Sequence, residues 1–102
     1  MAIEYSDQAN YLSKLDKGVG LLVFYADWCG PCKMLHPELE KLDADGVRIV
    51  KVNSDTNPSL MMEFGLSGVP SMILFKDGLP QEKTSGYRPK AQLEQWLSKF
   101  AG

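Results

Sequence analysis

The chain has 102 residues, of which 44% are hydrophobic and 24% charged, with a net charge of −2. That length fits one domain over residues 1–102, able to bury roughly two-thirds of its unfolded surface without staples. The slightly acidic balance argues against nucleic acid or an anionic membrane as the main partner, and no apolar stretch reaches the ~20 residues that cross a bilayer.

The opening residues, Met1 to Asp7, are acidic and lack the basic-then-apolar pattern of a signal peptide. The expected compartment is therefore the cytoplasm, where thiols stay reduced. A short first strand is predicted near Ala2–Tyr5. Asp7 reads as the N-cap of a helix to about Lys17, with Leu12 and Leu15 inward and Gly18 as its stop. Val19–Ala26 reads as a strand buried on both faces. The helix that follows carries Leu35, Leu39 and Leu42 on one face and should kink at Pro37. Asp45-Gly46 breaks the chain before a strand over Val47–Val52.

Asn57-Pro58 opens a short helix with Leu60, Met61 and Phe64, ended by Gly65. Met72–Phe75 is a third apolar strand, turned back by Lys76-Asp77-Gly78 into an antiparallel hairpin whose polar partner is about Gln81–Ser85. Pro89 starts the last helix, with Leu93, Trp96, Leu97 and Phe100 as its core stripe. The order is β-α-β-α-β-α-β-β-α. Such alternation predicts a mostly parallel sheet with helices on both faces.

Both cysteines lie in Trp28-Cys29-Gly30-Pro31-Cys32, where the most apolar strand gives way to a helix. The first turn of a helix presents unpaired N–H groups and the positive end of its dipole. A thiolate there is stabilised and becomes a nucleophile near neutral pH. The second thiol can then attack a mixed disulfide from within the same turn. Pro31 has no N–H to lose and suits that turn. A structural disulfide is a weaker reading, since so tight a loop removes little chain entropy. A zinc site is another, with Cys29, Cys32 and His36 as ligands, but a structural site wants four and there is no second cysteine pair. His36 reads as a helix-surface residue that tunes local charge four positions after Cys32.

This order and motif resemble the thioredoxin family along nearly the whole chain. The resemblance extends to Phe24-Tyr25-Ala26-Asp27 before the motif, Lys33-Met34 after it, Pro37, Lys51-Val52-Asn53, Asn57-Pro58, Gly68-Val69-Pro70, Phe75-Lys76-Asp77-Gly78 and Gly86. It implies an α/β thioredoxin fold: a central mixed β-sheet of about five strands flanked by four helices. It implies a protein-disulfide reductase in which Cys29 attacks and Cys32 resolves, supported by Trp28, Gly30, Pro31, Lys33, Lys51 and a cis Pro70. Trp28, Gly68, Val69, Pro70 and Gly86 form the implied docking rim, Val69 offering its backbone to a substrate peptide. The implied partners are disulfide-containing proteins and a thioredoxin reductase linked to NADPH or ferredoxin. The implied state is a monomer needing no cofactor and no metal. An oxidase or isomerase-like protein of the same fold and a non-catalytic binding module are the alternatives; Gly30-Pro31 goes with reducing members.

Two positions depart from the family pattern. Val23 stands where a buried acid is usual, so Lys51 lacks its customary partner, and its ammonium is expected to reach toward solvent. Ser54 stands where the docking surface is often apolar.

Overall fold

Apolar residues alternate along the strands with opposite faces buried, and this alternation builds two layers of core around one sheet. The computed structural model describes residues 3–100. The strands are β1 (Glu4–Ser6), β2 (Val19–Tyr25), β3 (Arg48–Asn53), β4 (Ser71–Lys76) and β5 (Leu79–Ser85), and the α-helices are α1 (Gly30–Ala44), α2 (Pro58–Glu63) and α3 (Lys90–Ser98). The sheet order is β1-β3-β2-β4-β5. Leu21 and Val23 of β2 face one way and pack with Ile49, Met72 and Leu74 against Leu35, Leu39 and Leu42 of α1 and Leu93 and Leu97 of α3. Leu22 and Phe24 face the other way and pack with Val50, Val52, Ile73 and Phe75 against Tyr11, Leu15 and Leu60. Each such leucine contributes about 1.5–3 kcal/mol by leaving water.

The sheet is mixed, as the family resemblance implies, rather than mostly parallel. β1 and β2 run parallel to β3, whereas β4 runs antiparallel to β2 and β5 antiparallel to β4. The cause is the six-residue length of α2. At 1.5 Å per residue it spans about 9 Å, too little to carry the chain back along a strand. β4 therefore starts at the end of the sheet where β3 finishes.

Among the described residues three α-helices flank the sheet instead of the four expected. The helix predicted from Asp7 to Lys17 is replaced by turns and a single 3-10 turn at Leu12–Lys14. Asp7 does act as a cap, its Oδ1 accepting from Asn10 N at 3.0 Å. The polar residues after it spend their side chains on local bonds: Asn10 Nδ2 donates to Asp7 Oδ1 and Ser13 Oγ to Asn10 O. Such bonds compete with helix propagation. The inward pair is Tyr11 and Leu15, while Leu12 is exposed.

The remaining elements form close to where the sequence puts them. The first strand begins at Glu4, two residues later than expected; Ala2 lies outside the described residues. α1 runs on through Pro37, which removes one helical hydrogen bond without ending the helix. The hairpin turns at Asp77 (φ +50°) and Gly78 (φ +82°), the two positive angles of a type I′ turn. Asp77 also ties the hairpin to the start of β2, its Oδ1 accepting from Gly18 N at 2.8 Å and its N donating to Gly18 O at 2.9 Å.

Candidate functional site

The C-terminal end of β2, the first turn of α1 and the loop entering β4 meet at the two cysteines. Cys29 is the N-cap of α1, with extended backbone, and Pro31 occupies the first turn. Cys29 and Cys32 form a disulfide with their Cα atoms 5.3 Å apart. The Cys32 N–H donates to Cys29 Sγ at 3.2 Å. This is a cap made by sulfur: the N–H that a serine or aspartate cap would satisfy points at the first cysteine. The same donor and the helix dipole favour negative charge on Cys29 once the disulfide opens.

Ala26, Cys29 and Cys32 pack together beneath Tyr25 and Val69. Cys29 is 3% exposed and Cys32 6%, so a partner reaches either sulfur only by close approach. The Val69–Pro70 peptide is cis, as expected from Gly68-Val69-Pro70, and Val69 O lies 3.7 Å from Cys29 Sγ. Gly86 N donates to Pro70 O at 2.9 Å, which joins Gly86 to this loop. Gly68 O accepts from Ser71 Oγ. Trp28 stands 71% exposed beside them, its Nε1 donating to Asp55 Oδ2 at 2.9 Å. Trp28, Ser54, Met61, Gly68 and Val69 line one shallow hollow. Gly30 and Lys33 lie exposed on the first turn of α1.

Behind Cys32 the outcome differs from the sequence reading. The register puts Tyr5, Lys51 and Val23 side by side on β1, β3 and β2. Lys51 does not reach toward solvent; it is 5% exposed. Its Nζ lies 2.9 Å from His36 Nδ1, 4.7 Å from the centre of the Tyr25 ring and 5.6 Å from that of Tyr5. The two tyrosines meet edge to face above it, with centroids 5.9 Å apart. Cation–π attraction and one hydrogen bond replace the lost contact with water. Burial nevertheless pushes the Lys51 ammonium below its ordinary value, with Glu40 opposing the shift.

His36, read from the sequence as a surface residue tuning charge, and Asp55, on which the sequence reading was silent, both adjoin the site. His36 is not only a surface charge, since it is the hydrogen-bond partner of Lys51. Its position one turn after Cys32 was a legible signal; its link to β3 was not. Asp55, which orients Trp28, carried no local signal. Among the described residues no group of three His, Cys, Asp or Glu side chains is arranged to hold a metal, and Cys29 and Cys32 are bonded to each other rather than converging with His36 on one point.

Comparisons with known proteins agree with this geometry. The family model described as Thioredoxin matches residues 2–99. Proteins named "Thioredoxin" from Staphylococcus aureus strains Mu50 / ATCC 700699 and MW2 are each 43% identical over 102 residues, covering 97% of this chain and 98% of theirs. A solved structure of a mutant thioredoxin from Halobacterium salinarum NRC-1 superposes with a TM-score of 0.90 at 32% identity, covering 100% of this chain and 96% of that one.

Proposed function

The chain belongs to the thioredoxin family and is a protein-disulfide reductase, and from that premise we propose how its residues divide the work. Cys29 is the nucleophile. Its thiolate attacks one sulfur of a target disulfide, forms a mixed disulfide and expels the other target sulfur as a thiolate. Cys32 then attacks Cys29 Sγ, releases the reduced target and leaves the Cys29–Cys32 disulfide. A thioredoxin reductase, drawing on NADPH or ferredoxin, returns the pair to dithiol. The observation that carries this assignment is the Cys32 N–H aimed at Cys29 Sγ at the start of α1.

Trp28, Gly68, Val69, Pro70 and Gly86 form the docking rim. Exposure of Trp28 and the nearness of Val69 O to Cys29 support this reading. An extended target segment pairs with the Val69 backbone and brings its disulfide over the sulfur. Gly30 and Pro31 shape the turn between the cysteines, and Lys33 adds positive charge beside it. We place the protein in the reducing cytoplasm as a monomer with one domain, acting on proteins rather than nucleic acid or membrane. Among the described residues no helix is long and apolar enough to cross a membrane.

The test is reduction of insulin disulfides with NADPH and a thioredoxin reductase. The parent is expected to turn over. Cys29→Ser abolishes turnover, and Cys32→Ser traps the target as a mixed disulfide at Cys29, visible by mass. Trapping through Cys32 in the Cys29→Ser variant instead would reverse the assignment.

A further inference from the structure

Cys32 has to lose a proton before it can attack, and the polar side chains that share its groove are Tyr5, Tyr25, Asp27, Lys33, His36 and Lys51. Two of them form a pair. An ammonium has no lone pair, so Lys51 donates and His36 Nδ1 accepts, at 2.9 Å. The imidazole is then neutral, with its proton on Nε2, which faces Glu40 Oε1 at 3.9 Å. His36 follows Cys32 by one helical turn, so both lie on the same face of α1. Lys51 forms no ion pair among the described residues. A neutral imidazole and two aromatic faces hold its charge without cancelling it.

We propose that His36 fixes the Lys51 ammonium behind Cys32, and that this uncancelled buried cation favours the Cys32 thiolate in the resolving step. The inference rests on Cys32 being the resolving thiol. The proton passes from Cys32 Sγ to solvent water in the groove. The thiolate attacks Cys29 Sγ, the bond from Cys29 to the target sulfur breaks, and that sulfur leaves with the electron pair and takes a proton from water. The dithiol is oxidised and the target disulfide reduced, two electrons in all. His36 is a positioning residue, acting through Lys51. Asp27 and Lys33 are exposed, and solvent screens them. Burial, with Tyr5 and Asp27 beside it, pushes the Tyr25 phenol up and keeps it neutral. Glu40 is exposed, with its Oε1 3.9 Å from the far nitrogen of the imidazole, and solvent screens it.

In a Cys29→Ser background Cys32 is the one remaining thiol, and its rate of alkylation by iodoacetamide against pH reports its ionisation. His36→Ala and Lys51→Met should each move the midpoint up by about one pH unit. His36→Asn, which keeps an acceptor where Nδ1 stood, should leave it near the parent. With both cysteines present, His36→Ala should slow decay of a preformed mixed disulfide by up to about tenfold at neutral pH, the same factor expressed as thiolate fraction, with no difference well above the midpoint. Unmoved midpoints in His36→Ala and Lys51→Met, in variants that keep the parent's circular dichroism, overturn the proposal. Alkylation needs no target protein, so loss of insulin reduction by the parent would overturn the reductase assignment separately.

Discussion

At Lys51 the chain buries a full charge because the register with Tyr5 and Val23 forces the side chain onto the α1 face. The ordinary value is 10.5, and burial lowers it in the folded protein. Below the folded value the penalty for the charged form is whole. As pH rises from that value toward 10.5, the folded amine sheds its proton before the unfolded one does, and the penalty is relieved. Lys51→Met should therefore be the more stable protein at neutral pH, with the gap narrowing as pH approaches 10.5; urea midpoints across that range check it. On the role proposed above for Lys51, stability and chemistry pull in opposite directions at this position, as they do at many functional sites. The reactive residues themselves were legible from spacing alone, because the two cysteines, Pro31 and the strand-to-helix change are local. The environment of Lys51 was not, because it depends on which strands pair.

The helices show the same division between local and distant causes. α1 and α3 announce themselves by leucine spacing and by Pro31 and Pro89. What stabilises the start of α3 is not in its own sequence. Pro89 offers no side-chain cap; instead Glu38 of α1 reaches across, its Oε1 accepting from Lys90 N at 2.9 Å, while its Oε2 meets Lys41 at 3.1 Å. The Lys90 N–H, then Lys41, hold the Glu38 carboxyl below its usual range. A carboxylate so depressed lends stability above about 4.5, its unfolded value, and the support is lost as pH falls through the folded value. Glu38→Ala should melt lower than the parent at neutral pH and converge with it in acid; thermal melts at the two extremes decide this. Fifty-two positions separate the two residues, which is why no local pattern reveals the cap. The first helix failed in the opposite sense: its local signals were present, but turn-forming polar side chains outcompeted them.

Across the molecule, the two apolar layers and the disulfide are separate structures. The layers hold the sheet to its helices, whereas the sulfurs cluster with Ala26, Tyr25 and Val69 and touch the second layer at Val69. Opening the bond should leave the fold in place. Cys29 and Cys32 are three positions apart, and the chain-entropy model gives such a loop about 2 kcal/mol. For a domain of this size that lowers the melting temperature by roughly 10 °C. Calorimetry with and without dithiothreitol should show one cooperative transition in both states; two resolved transitions after reduction would contradict the separation. The layering was readable from the alternation in β2, β3 and β4. The mixed strand directions were not readable from alternation alone, since they follow from how short α2 is.

The sheet's borders bear on a different problem. A protein that receives extended segments of others against its backbone risks receiving copies of itself. β1 offers only three residues along its border. β5 is exposed along nearly all its length and carries Pro80, Glu82 and Lys83, with a register shift opposite Leu74 and Phe75. Short length, a missing donor, charge and a bulge each discourage strand addition. Self-stacking into fibrils is thus resisted on both flanks, while the docking proposed above receives a foreign strand near Val69, beside the disulfide.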